Sequence, residues 1–122
     1  MPKPKKPKVK KPKYNKKIAD TLFSVIIRSA GKCFRCGNTY NLQCAHIFSR
    51  GYYTIRWSFD NAVCLCSGCH IYFTYKPLEW EDFIKSKFGE AKWMDLRKRA
   101  LTYQKIDYKA IVENLQGQQK LV

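Results

Sequence analysis

Two CxxC pairs constrain this chain more than any other feature. Cys33 and Cys36 frame the first, Cys66 and Cys69 the second, and 29 residues, 37–65, lie between them. Each pair makes a tight turn that aims two sulfurs at one point, and Zn²⁺ takes four thiolates tetrahedrally. The spacing therefore predicts a structural zinc that closes the intervening loop. A chain of 122 residues is near the size at which a core alone is barely sufficient, so a structural metal adds stability that the core lacks. Cys44 and Cys64 are left over. They read as buried small apolar residues, with Cys64, on the strand face of Cys66, as an alternative knuckle ligand.

The charge balance narrows the partner. A formal net charge of +15 and a pI of about 9.7 imply a polyanion, most simply nucleic acid; a merely soluble basic protein, or one that binds acidic membranes, is the bland alternative. No apolar run reaches membrane-spanning length and no signal peptide is visible, so no membrane is expected. Knuckle-spaced cysteines without an export signal point to a reducing cytoplasmic setting, with thiolates on metal and not in disulfides.

Residues 1–13 hold seven Lys and four of the five Pro. Proline removes amide donors and like charges repel, so 1–15 reads as a disordered basic tail suited to non-specific phosphate attraction; nuclear localisation is a lesser alternative. A single domain is expected over 16–122. Ile18, Leu22, Val25 and Ile26 predict a helix over 16–30 that Gly31 stops. Leu42–Phe48 predicts a strand, Ile55–Ser58 a second short strand, and Ser67–Thr74 a helix opening at the second knuckle. Pro77 and Gly89 bracket another helix. Trp93, Leu96 and Ala100 mark the next, and Tyr108–Leu115 the last, with Asp107 as its N-cap; these apolar stripes over 77–116 read as packing surfaces. The predicted fold class is α+β.

Inside the loop closed by the cysteines lie His46 and Asn61, and His70 follows Cys69 directly. A neutral imidazole titrates near working pH and can accept a proton. Basic residues Lys32, Arg35, Arg50 and Arg56 surround this set, and no acidic residue occurs from Thr21 to Phe59. An arginine can bind a phosphate bidentately and stabilise transition-state charge, for which Arg56 or Arg50 is the candidate. Tyr52, Tyr53 and Trp57 are interleaved; aromatics can stack on bases, while Trp57 reads as core.

The ordered set CFRC, His46, Asn61 and CSGCH resembles the HNH, or ββα-metal (His-Me finger), endonuclease superfamily. It looks most like the zinc-containing phage forms, including the NinG/Rap-type recombination nucleases. The resemblance covers about Cys33–Thr74. It implies two antiparallel strands and a helix around one divalent ion, with flanking helices outside this core. By the resemblance His46 is the general base, Asn61 holds the loop that aims it, and His70 is a ligand of a catalytic Mg²⁺ or Mn²⁺. It implies hydrolysis of phosphodiester bonds in DNA, with branched DNA and a homodimer among the alternatives. Where many members place an acidic or histidine ligand before the base, this chain has Ala45. Gln43, Cys44, Asp60, Asn61, waters or the scissile phosphate are then the candidates to complete the ion's shell, or His46 is itself a ligand; Thr74 would be a weak one. A non-catalytic zinc module that binds nucleic acid is the rival reading.

Overall fold

The computed structural model describes residues 2–5 and 14–119. Most of the expected Lys/Pro tail, residues 1 and 6–13, lies outside the described residues. Tyr14 and Asn15, which the sequence assigned to the tail, contact the helices. Tyr14 Oη donates to Glu113 at 3.4 Å, and Asn15 caps the first helix by accepting the Ile18 amide at 2.9 Å.

The described residues are α+β, with five α-helices and one two-stranded antiparallel sheet. Helix α1 spans Lys16–Arg28. Strand β1, Leu42–His46, pairs with β2, Ala62–Cys66, in the register Leu42 to Cys66 and His46 to Ala62. Helix α2, Ser67–Thr74, leaves β2 without a linker, and α3 (Pro77–Phe88), α4 (Glu90–Ala100) and α5 (Tyr108–Gln119) follow. Pro77 opens α3, and Gly89, at φ 88°, separates α3 from α4 in the left-handed region that favours glycine. Asp107 caps α5 by accepting the Ala110 amide.

Strand alternation divides the sheet into two faces. Ala45, Val63 and Leu65 turn to α2 and α3, where they meet Phe73, Cys33 and Cys69. Cys44 and Ala62 turn the other way, to α1, which is backed by Val112 and Leu115 of α5. A third cluster, Ile47, Ile55, Ile84, Trp93 and Leu96, seats α3 and α4 against the loop between the strands.

The second strand is not where the sequence placed it. Residues 53–55 form a 3₁₀ turn with Arg56 as its cap, and the strand is Ala62–Cys66. All five residues of β2 are buried, because helices cover both faces. A strand covered on both sides shows no polar alternation to read. Strand β1 also ends at His46 and not at Phe48, because the Phe48 amide is taken by the Asn61 side chain at 2.9 Å.

Candidate metal centre and candidate active site

The four knuckle sulfurs all lie within 4.8 Å of one another and can hold a metal such as zinc. The Cys36 and Cys66 sulfurs are 3.7 Å apart. Zn–S bonds of about 2.3 Å in a tetrahedron give sulfur–sulfur edges of about 3.8 Å, so this edge already fits the ion. Local backbone explains the convergence. The Gly37 amide donates to the Cys33 carbonyl at 2.9 Å and the Cys33 amide to the Asn38 carbonyl at 2.8 Å. Gly37 turns the chain at φ 78°. The Phe34 amide ties this turn to the Cys64 carbonyl of β2 at 2.8 Å. On the other side Cys66 caps α2 and Cys69 sits in its first turn.

Charge follows the same geometry. Burial pushes the Cys33 thiol up, but the backbone amides of Cys36, Cys66 and Arg35 outweigh it and bring it down to favour the thiolate. Cys69 is pushed up, first by burial and then by the three neighbouring sulfurs, against the pull of Arg35. A dication held by the four sulfurs would remove that crowding. Arg35 reaches the Cys69 sulfur at 3.7 Å and lies over the rings of Tyr72 and Phe73, 4.3 and 4.9 Å from their centres. It therefore serves the sulfur cluster. Cys64 is not a member of the cluster. It faces Cys44 across the sheet, and burial pushes the Cys44 thiol up to about 12. Both leftover cysteines are apolar filler.

Along strand β1, His46 and His70 line a common cleft of about 600 Å³ with Gln43, Ser49 and Arg50, closed on one side by α1. The Nε2 of His46 lies 2.8 Å from the Arg56 carbonyl. A carbonyl only accepts, so Nε2 carries the proton and Nδ1 keeps a lone pair. Burial, then the charges of Arg50 and Arg56, holds this histidine below its ordinary 6.5, against the carbonyl bond that favours the proton. This favours the neutral ring. The Nδ1 of His70 donates to the Gln43 carboxamide oxygen at 2.7 Å, which leaves its Nε2 lone pair free; burial and Arg50 hold His70 below 6.5 as well.

Asn61 is wholly buried. Its oxygen accepts the Phe48 amide, and its nitrogen donates to the Phe48 and Ile55 carbonyls, each at 3.1 Å. The residue is spent on the loop that carries Arg56. As a metal ligand, the other role expected of it, Asn61 is badly placed.

Arg56 does not present itself to a phosphate. It is 7 % exposed. Its Nε and Nη2 donate to the two Asp20 carboxylate oxygens at 2.9 and 2.6 Å, and its Nη1 donates to the Arg50 carbonyl at 2.9 Å. Every guanidinium nitrogen is occupied, and α1 supplies the counter-charge. Arg50 and Lys32 are exposed, and Arg50 lines the cleft. Trp57 is buried and donates to Asp20 at 2.9 Å.

Asp20 of α1 lines the same cleft, but its carboxylate oxygens are taken by Arg56 and Trp57. Among the described residues the only cluster of Cys, His, Asp or Glu side chains with metal-binding spacing is the four-sulfur one. Asp60 is held by Lys92 and Arg99, and the Thr74 hydroxyl donates to the His70 carbonyl at 2.7 Å. A smaller hollow of about 220 Å³ lies between Ala45, His46, His70 and Thr74, where a longer side chain at position 45 would project. No family model, curated protein or solved structure matches the chain. Among the described residues no helix is long and apolar enough to cross a membrane.

Proposed function

We propose that the protein is a metal-dependent endonuclease of the HNH type that hydrolyses phosphodiester bonds in DNA, with zinc on the four cysteines as its structural clip. One observation carries the reading: His46 is half-buried and tied through Nε2 to a backbone carbonyl, with its Nδ1 lone pair free in a cleft that His70 and Arg50 share. Packing alone gives no reason for two such histidines beside the exposed Arg50.

In this reading His46 Nδ1 takes the proton from the attacking water. Asn61 fixes the loop, and the Arg56 carbonyl fixes the ring. Arg50 meets the phosphate as an exposed cation. Gln43 orients His70 and leaves its Nε2 to hold a divalent ion. That ion, when bound, supplies positive charge against the phosphate and the leaving oxygen. The donor set of one imidazole and no carboxylate fits Mg²⁺ poorly, since Mg²⁺ favours oxygen ligands; Mn²⁺ or a later first-row ion suits it better. The net charge of +15 supplies DNA attraction whatever the sequence.

The missing carboxylate at Ala45 favours the rival, a zinc module that binds nucleic acid without cutting it. Supercoiled plasmid incubated with the protein and, separately, Mg²⁺, Mn²⁺, Ni²⁺ and Zn²⁺ decides between them. Nicking or linearisation that His46→Ala abolishes supports the enzyme. Binding with no cleavage of any DNA form under any ion establishes the module.

A further inference from the structure

We propose that the Asp20–Arg56 ion pair is the positioning device for His46, so that α1, outside the two strands and α2, is a required part of the site. The inference rests on the reading of His46 as the base. Arg56 is the one residue that touches all three parts. Its carbonyl takes the Nε2 proton of His46. Its Nη1 holds the Arg50 carbonyl at the start of the same loop. Its Nε and Nη2 lock onto Asp20. Asp20 is fixed in turn by the Trp57 indole N–H at 2.9 Å. One turn along α1, Phe23 lies against the His46 ring with centroids 5.4 Å apart. The helix thus reaches the histidine twice, by ring contact and through Arg56.

A mostly buried ion pair is a poor source of stability compared with apolar packing. What this one adds is a fixed direction. With the guanidinium held at three nitrogens, the Arg56 carbonyl cannot swing away from the imidazole. Without Asp20 the carbonyl is free to turn, and the ring loses the acceptor that selects its tautomer. The tautomer with a proton on Nδ1 then becomes populated, and that form has no lone pair at Nδ1 with which to take a proton from water.

The test is nitrogen-15 NMR of the histidine ring together with cleavage kinetics, on the zinc-loaded full chain. In the wild type His46 should show a protonated Nε2 and an unprotonated Nδ1. Asp20→Asn and Arg56→Lys should each give a tautomer mixture at His46, with zinc content and far-ultraviolet circular dichroism unchanged. On DNA, kcat should fall by about a hundredfold, the scale of a displaced catalytic group, with KM unchanged. Asp20→Glu, which keeps the charge, should recover most of both signals. The proposal is overturned if the two variants retain the wild-type tautomer, or if both unfold, which would make the pair an element of stability alone. If the wild type cuts no DNA but the His46 tautomer still follows Asp20, the positioning stands and the nuclease reading falls.

Discussion

Phe48 and Asn61 bind each other reciprocally: the Phe48 amide donates to the Asn61 oxygen at 2.9 Å, and the Asn61 nitrogen returns a bond to the Phe48 carbonyl at 3.1 Å. The side chain thus mimics one more rung of the β1–β2 ladder. Its second hydrogen goes to Ile55, in the turn just before the Arg56 carbonyl that holds His46. Asn61→Ala would strip a partner from the part-buried amide and carbonyl of Phe48 and from the Ile55 carbonyl, which keeps the Ser58 amide at 3.1 Å. A loss of about 3 kcal/mol is expected from unsatisfied buried groups of this kind, read as a lower urea midpoint. Asn61→Asp should cost more, since it turns a carboxylate oxygen toward two carbonyls. A midpoint unchanged in both variants would contradict this.

Zinc should be present at one ion per chain and inseparable from folding. Structural zinc affinity is folding free energy, about 10–16 kcal/mol in small zinc peptides. Chelation, Cys36→Ala or Cys69→Ala should unfold the domain, followed by circular dichroism. A folded, zinc-free preparation by elemental analysis would refute it.

Arg35 should tune the zinc without being a ligand. Removing a group that bonds a metal-bound sulfur typically costs about 10–100-fold in metal affinity. Arg35→Ala is expected in that range by chelator competition, and Lys32→Ala, whose side chain is exposed, should have no effect.

His46 fixes the sign of one pH dependence. Its folded pKa is lowered, chiefly by burial, so below about 6.5, the ordinary value, the unfolded chain binds the extra proton. Stability attributable to His46 is therefore complete above 6.5 and is lost as pH falls through the lower folded value. The urea midpoint of wild type against His46→Ala should diverge from its neutral-pH difference only below about pH 6.5. The acid limb of cleavage should also lie below 6.5. A limb above 6.5 would mean that another group, or a protonated His46, governs the reaction.

Metal rescue separates the two histidines. His70→Ala loses a ligand, so raised Mn²⁺ should restore part of its cleavage. His46→Ala loses a proton acceptor, with a loss of about a hundredfold or more, and Mn²⁺ should restore nothing. Equal rescue of both would make His46 a ligand as well, and would explain why Ala45 is tolerated.

The residues that the sequence exposes are those whose partners are near or whose spacing is rigid. The two CxxC turns, Pro77 and Gly89 at the ends of α3, and Asp107 capping α5 all declare themselves locally. Strand β2 does not, because a fully buried AVCLC run has no polar face. Arg56 does not either. In sequence it is one more cation in a window free of acids, and its partner Asp20 lies 36 residues earlier on a different element. Gln43 could be placed on the face of Ala45 by alternation, but its bond to His70, 27 residues on, needs the folded sheet.

The cover on α1 has a consequence for the order of assembly. Phe23 and Ala19 are buried against Val112 and Leu115 of α5. On a ribosome making about 5–20 residues per second, α1 emerges seconds before the helix that shields it. The four sulfurs are complete once Cys69 has appeared, whereas the apolar side of α1 must wait for Leu115. The zinc knot can therefore close on a nascent chain whose first helix is still uncovered. Helix α1 is made well before α5 yet is locked only after it, and the cleft that α1 walls off stays unfinished until then.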